Sequence, residues 1–175
     1  MKKALLFTIV SLMAAACGPK IPEKIIALSF DDGPNTVTTP KVLDVLAEHG
    51  VTASFFVIGN RITEESAQMM KRAVAQGCDV ENHSWTHRRM PMLTPEQIAW
   101  EIDTTSAVIE KYLGTRPTFF RPPYIAVDQK MHDVIDLTFI CGEGCEDWVP
   151  EISAEERARR VIESVKDGNV ILLHD

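Results

Sequence analysis

Apolar runs alternate with amphipathic segments along this chain from residue 25 onward. Short runs rich in Ile, Leu, Val and Phe are typical of buried strands, and apolar positions three and four apart are typical of helices. The predicted strands cover residues 25–30, 51–58, 78–81, 118–121, 137–141 and 170–173. The predicted helices cover residues 40–49, 64–76, 95–112 and 154–166.

The helix boundaries follow from local capping signals. Pro40 at a first helical position and Gly50 behind a last one are typical start and stop signals. Thr94 and Gln97 match a capping box. The predicted N-caps are Thr39, Thr63, Thr94 and Ser153. Alternation of strands and helices favours an α/β fold with a parallel sheet, in which the loops after the strands build the site.

Composition indicates one globular domain. The chain has 175 residues, 45% of them hydrophobic and 25% charged, without a low-complexity segment or an obvious repeat. The net charge of −7 argues against nucleic acid as a partner.

The first residues resemble an export signal. Lys2 and Lys3 precede an apolar stretch that is too short to span a bilayer comfortably, and small residues lead to Cys17. We predict a signal peptide over residues 1–16, a lipid anchor on Cys17 in preference to simple secretion, a tether over 18–24 and one domain over 25–175. The protein is then exported and anchored in a bacterial cell envelope, or otherwise periplasmic or secreted, and it contacts membrane only through that anchor.

Three further cysteines follow, at positions 78, 141 and 145. Export permits a disulfide, and Cys141 could pair with Cys145. Cys78 is most simply a small buried residue.

Candidate chemistry begins where the first predicted strand ends. Asp31 and Asp32 precede a Gly-Pro turn that can swing both carboxylates toward one mouth, and His83 and His87 lie on one face if their segment is helical. Two imidazoles and one carboxylate leave an open position on a divalent ion, while a second carboxylate can take a proton from water. Neither pair needs a functional role. Asp-Asp-Gly-Pro is a common turn composition, and paired histidines also occur on solvated helix faces.

Five ordered motifs strengthen the functional interpretation: SFDDGP at 29–34, HSWTH at 83–87, RPPY at 121–124, DW at 147–148 and ILLHD at 171–175. In this set the chain resembles the NodB-type polysaccharide deacetylases, carbohydrate esterase family 4. The resemblance implies a distorted (β/α)7-type barrel, here without the family's usual last helix and strand. It also implies a divalent metal, with zinc preferred and cobalt or nickel as alternatives.

The resemblance further assigns roles. Asp32, His83 and His87 would hold the metal, Asp31 would act as general base, and His174 as general acid. Arg121 would brace a catalytic carboxylate and Asp147 would orient the catalytic histidine. The residues expected to contact substrate are Pro123, Tyr124, Trp148 and Leu173.

The predicted activity is metal-dependent removal of acetyl groups from a polysaccharide. Peptidoglycan, chitin oligomers and acetylxylan all carry such groups, and the shared motifs do not choose among them. The alternative is a catalytically inactive carbohydrate-binding envelope lipoprotein with the same fold.

Overall fold

The structure is a computed structural model that describes residues 25–175. The predicted signal peptide over 1–16, the Cys17 anchor and the tether over 18–24 lie outside the described residues. Among the helices of the described part, none is long and apolar enough to cross a bilayer.

A seven-stranded sheet forms the centre of the fold, in the order β5-β4-β3-β2-β1-β7-β6, and all its neighbouring strands are parallel. Its strands are β1 Ala27–Asp31, β2 Ser54–Val57, β3 Asp79–Asn82, β4 Phe119–Phe120, β5 Thr138–Phe139, β6 Glu143–Gly144 and β7 Val170–His174. The sheet is curled into a partial barrel, which confirms the predicted α/β fold class. Strand β6 was not predicted, since Glu143 and Gly144 carry no apolar side chain, whereas the equally short β4 and β5 lie in apolar runs.

Five helices connect the strands: α1 Thr39–His49, α2 Ala67–Ala75, α3 Pro95–Leu113, α4 Gln129–Val134 and α5 Ala154–Ser164. Helix α4 was not predicted from the sequence; it has six residues and is capped by Asp128, whose carboxylate accepts a hydrogen bond from the Met131 amide. The predicted capping box is present: the Gln97 amide donates to Thr94 Oγ1, and the Thr94 amide donates to the Gln97 side chain. Ser153 caps α5 in the predicted way.

Two predicted N-caps are wrong. Helix α1 is preceded by Thr38, and Thr39 is the first helical residue, where its hydroxyl accepts from the Asn35 amide and donates to Asp175. Thr63 lies in a turn before α2, where its hydroxyl accepts from the Ser66 amide. The Thr39 hydroxyl therefore accepts from a loop amide, whereas Thr63 lies one turn before α2 and its carbonyl oxygen accepts from the Ala67 amide at the start of that helix.

The apolar core lies in two clusters, and α3 contributes Ile109 to one and Ile98 and Ile102 to the other. One includes Leu43, Phe55 and Met70 and packs α1 and α2 against the sheet. The other includes Ile98 and Phe120 and packs α3 and α4. With the helices packed on the sheet in this way, the catalytic candidates lie at the carboxyl ends of the strands.

The three cysteines in the described residues are free thiols: Cys78 and Cys145 are buried and Cys141 is exposed. Strand β6 lies between Cys141 and Cys145 and pairs with β7. Cys141 and Cys145, for which the sequence permits a disulfide, are therefore not paired in this structure.

Candidate active site

Asp32, His83 and His87 converge on one point although they come from two separate loops. Asp32 Oδ1 lies 3.6 Å from His83 Nε2 and 3.4 Å from His87 Nε2. The potential ligand atoms of the three residues lie within 4.8 Å of one another. Asp32 Oδ1 is buried and accepts no hydrogen bond within the described part of the chain. Two ring nitrogens face a carboxylate oxygen that receives no hydrogen bond from the described residues. These three atoms are ligands of the kind that bind a divalent cation.

The backbone around these ligands is irregular. Residues 83–87 form a loop and not a helix, so the two histidines do not share a helix face. Within this loop Ser84 has a φ of 67° and His87 has a φ of 55°. Asp32 also has a left-handed φ, of 77°. Left-handed non-glycine residues are strained and persist where surrounding contacts hold them.

A hydrogen bond orients the His83 ring. Its Nδ1 lies 2.6 Å from the backbone carbonyl oxygen of Arg121. A carbonyl can only accept, so Nδ1–H is the donor and the Nε2 lone pair faces Asp32. Burial lowers the pKa of His83 to about 3, which keeps the ring in the neutral form that binds metals.

Asp31 is buried beside a fully buried guanidinium. Arg121 Nη1 donates to Asp31 Oδ1 at 2.6 Å and to Ser29 Oγ at 2.9 Å. The Arg121 guanidinium also lies 4.1 Å from the centre of the Phe56 ring. Burial raises the pKa of Asp31 to about 6, against the opposing effect of Arg121. A carboxylate with such a pKa can take a proton near neutral pH.

His174 is held by Asp147 on the opposite side of the site. His174 Nδ1 lies 2.9 Å from Asp147 Oδ1, and the His174 amide donates to Asp147 Oδ2 at 2.7 Å. The hydrogen bond to Asp147 raises the pKa of His174 above its ordinary value. The imidazole is therefore a better proton carrier at neutral pH than a free histidine.

One cleft of about 560 Å³ contains the site. Trp148 forms an exposed wall on the His174 side, where the two ring centroids are 5.4 Å apart and the rings are nearly perpendicular. Tyr124 forms the wall on the His87 side, with ring centroids 4.8 Å apart. The residues that line the cleft include Asp31, Asp32, His83, His87, Pro122, Tyr124, Trp148, Leu172 and His174.

Two predicted substrate contacts lie elsewhere. Leu173 packs against the core cluster that contains Phe30, and Leu172 lines the cleft instead. Successive side chains of a strand point to opposite faces, so Leu172 shares the face of His174 and Leu173 does not. Both prolines are buried, and Pro122 rather than Pro123 lines the cleft.

Glu101 and Asn82 support the site but were not predicted from the sequence. Glu101, on α3, is buried and accepts hydrogen bonds from the Trp85 and Thr86 amides. The Asn82 side chain donates to the Ile102 carbonyl oxygen and accepts from the Ser84 amide. The sequence did contain a signal for Glu101, because this acid lies three residues after Ile98 on the apolar face of a predicted helix, where a charged residue needs a partner.

The fold and the site are those of a known family, which the sequence of this chain also matches. The family model described as Polysaccharide deacetylase matches residues 18–138. The chain belongs to the polysaccharide deacetylase family, whose members named among its relatives are hydrolases of acetylated glycans.

Particular relatives are similar over most of this chain. It is 44% identical to a bifunctional xylanase/deacetylase of Pseudobutyrivibrio xylanivorans, over 87% of this chain and 25% of that protein. It is 35% identical to the peptidoglycan-N-acetylmuramic acid deacetylase PdaC of Bacillus subtilis, over 87% of this chain and 32% of that protein. The chain thus spans a quarter to a third of the length of these curated relatives.

A solved structure is similar in fold and sequence. The family 4 acetyl xylan esterase of Clostridium thermocellum, in complex with a cobalt ion, superposes with a TM-score of 0.84 and 44% identity. The match covers 85% of this chain and 73% of that one.

Proposed function

We propose that this protein is a metal-dependent hydrolase that removes acetyl groups from an acetylated polysaccharide. The observation that carries the proposal is the convergence of Asp32 Oδ1 with the Nε2 atoms of His83 and His87 at 3.4 to 3.6 Å. Asp31 and His174 line the same cleft, so a base and an acid accompany the donor set.

Asp32, His83 and His87 would hold the metal. Their donor set suits zinc first, with cobalt or nickel as alternatives, and the cobalt complex of the Clostridium thermocellum relative supports a divalent ion. When bound, the ion supplies Lewis acidity that polarises the acetyl carbonyl and activates water.

Asp31 would accept the proton of the attacking water. It lies beside the metal ligands, with Oδ2 3.7 Å from His83 Nε2, while Arg121 holds its other oxygen. Arg121 therefore orients the carboxylate and opposes the effect of burial on its pKa.

His174 would give a proton to the leaving nitrogen or oxygen. Its Nδ1 is engaged by Asp147, so Nε2 is the atom available to substrate. Asp147 acts through His174 by fixing the orientation of the ring and raising its pKa.

The remaining cleft residues would bind the sugar. The exposed ring of Trp148 offers a flat wall for a sugar face, and the backbone amide of Tyr124 would help to hold the oxyanion. Leu172 replaces Leu173 as the apolar contact for the acetyl methyl group.

Acetylxylan is the first substrate to assay. Two relatives whose names refer to xylan are 44% identical to this chain, whereas peptidoglycan deacetylase PdaC is 35% identical. Peptidoglycan and chitin oligomers remain in the same substrate class. Such substrates agree with export and with a lipid anchor on Cys17.

The alternative of an inactive carbohydrate-binding lipoprotein is not favoured. An inactive descendant is expected to have lost part of its metal or proton-transfer set. Here the set Asp31, Asp32, His83, His87 and His174 is intact, and all of its members line one cleft.

The test is acetate release by the zinc-loaded protein from acetylxylan, peptidoglycan and chitin oligomers. Release that is abolished by a chelator, restored by zinc and lost in Asp31→Asn would establish the mechanism and identify the substrate class. Zinc binding by folded protein without release from any of the substrates would favour the inactive alternative.

A further inference from the structure

A buried carboxylate lies behind the loop that carries both histidine ligands. Glu101 is 2% exposed and projects from α3. Its Oε2 accepts from the Trp85 amide at 2.8 Å and from the Thr86 amide at 2.7 Å, and its Oε1 accepts from the Thr86 hydroxyl. All three donors belong to the two residues immediately before His87.

The same loop needs external support. Ser84 and His87 have left-handed φ angles, and the loop contains no regular helix or strand. Its carbonyl oxygens are satisfied from the other side, since the Gly59 amide donates to Ser84 and the Asn60 amide donates to Trp85. Amides that point to Glu101 and carbonyls that point to residues 59–60 hold the loop from two directions.

The hydrogen bonds that Glu101 accepts join a carboxylate to backbone amides. An ionised carboxylate that accepts from backbone amides makes charge-assisted hydrogen bonds, which are about twice as strong as neutral ones. Because a carboxylate that accepts several bonds in a buried place has little freedom to move, it fixes the positions of the groups that donate to it. The fixed groups here lie between two metal ligands.

We propose that Glu101 is a positioning residue that sets the placement of His87 relative to His83 and thereby the metal affinity of the site. The inference rests on the proposed function, because it requires that His83 and His87 hold a metal. Glu101 touches neither metal nor substrate, and it acts through the loop backbone.

A matched comparison separates positioning from general stability. Glu81 is also buried and accepts from two backbone amides, those of Thr118 and Phe119, but these donors lie outside the ligand loop. Glu101→Ala and Glu81→Ala should both lower the Tm of the metal-free protein. Only Glu101→Ala should weaken zinc binding, by about 10- to 100-fold, as found for outer-shell partners of metal ligands.

Milder variants cover the case in which Glu101→Ala does not fold. Glu101→Gln keeps an oxygen that can accept from both amides but loses the charge, and Thr86→Val removes the hydroxyl donor alone. Each should weaken zinc binding by less than about tenfold. The cobalt-loaded variants should also show an altered visible absorption spectrum, because ligand geometry sets that spectrum.

The experiment measures the zinc dissociation constant of the full chain by competition with a chelating dye, together with Tm and the cobalt spectrum. A selective loss of zinc affinity in the Glu101 variants supports the inference. Wild-type zinc affinity and an unchanged cobalt spectrum in Glu101→Ala would overturn it. Failure of the unmodified protein to bind zinc, cobalt or nickel would instead remove the proposed metal site, and the inference with it.

Discussion

Asp31 and His174 lie opposite each other in the register of two neighbouring parallel strands, β1 and β7. Their side chains line one cleft, although Asp31 lies near the beginning and His174 near the end of the described residues. The pairing of β1 with β7 therefore brings the proposed base and acid to the same edge of the sheet.

Asp31→Asn should lower acetate release by about 10²- to 10⁴-fold, the contribution typical of general acid–base groups. Zinc affinity should be unchanged, because Asp32, His83 and His87 remain. Acetate release and zinc binding are measured on the same preparation. Asp44→Asn, which changes an exposed acid paired with Arg72, is the control. Wild-type release by Asp31→Asn would remove Asp31 as the base.

Arg121→Met should destabilise the fold as well as reduce activity. The guanidinium is buried and pairs with Asp31, so its removal leaves a buried carboxylate without a cation. Loss of one partner of a buried pair costs about 3–5 kcal/mol in the free energy of unfolding. Urea denaturation of the metal-free protein measures this value, and a loss of less than about 1 kcal/mol would show that the pair contributes little.

Asp147→Asn should move the alkaline limb of the activity profile to lower pH. The bond from Asp147 raises the pKa of His174, so loss of the carboxylate charge lowers that pKa and the imidazolium loses its proton at a lower pH. The measurement is kcat at saturating zinc and substrate across the pH range. Glu143→Gln, at an exposed acid near β7, should leave the limb in place. An unmoved limb in Asp147→Asn would contradict the role of His174 as the acid.

Leu172→Ala and Leu173→Ala should differ in activity more than in stability. Truncation of a core leucine costs about 2 kcal/mol or more, and both side chains pack against neighbours. Only Leu172 lines the cleft, so only Leu172→Ala should lower kcat/KM per folded molecule. Equal kcat/KM values for the two variants would show that neither leucine contacts the acetyl group.

Zinc should stabilise the folded protein through its three ligands. Binding to the folded state alone adds about 2.7 kcal/mol to the free energy of unfolding when free zinc is about 100 times Kd. Thermal unfolding with and without zinc measures the shift. His87→Ala should remove most of it, and a full shift in that variant would place the ion elsewhere.

Much of the fold could be predicted because its signals are local. The apolar run before Asp31, the capping box of Thr94 and Gln97 and the glycine after His49 each act within a few residues, so strand and helix order can be read along the chain. Strand β6 was not predicted because Glu143 and Gly144 form no apolar run, and helix α4 was not predicted because six residues are too few to show a helical period.

The residue types of the site can be identified from the sequence: two adjacent acids, two histidines four apart, an arginine before two prolines and a histidine-acid pair at 174–175. Only the folded chain shows that Leu172 rather than Leu173 faces the cleft, that the segment from His83 to His87 is a loop, and that Glu101 accepts hydrogen bonds from it. The physical reason is that a strand's face and a loop's backbone depend on partners distant in the chain. Those partners become neighbours only when β7 pairs with β1 and α3 packs behind the sheet.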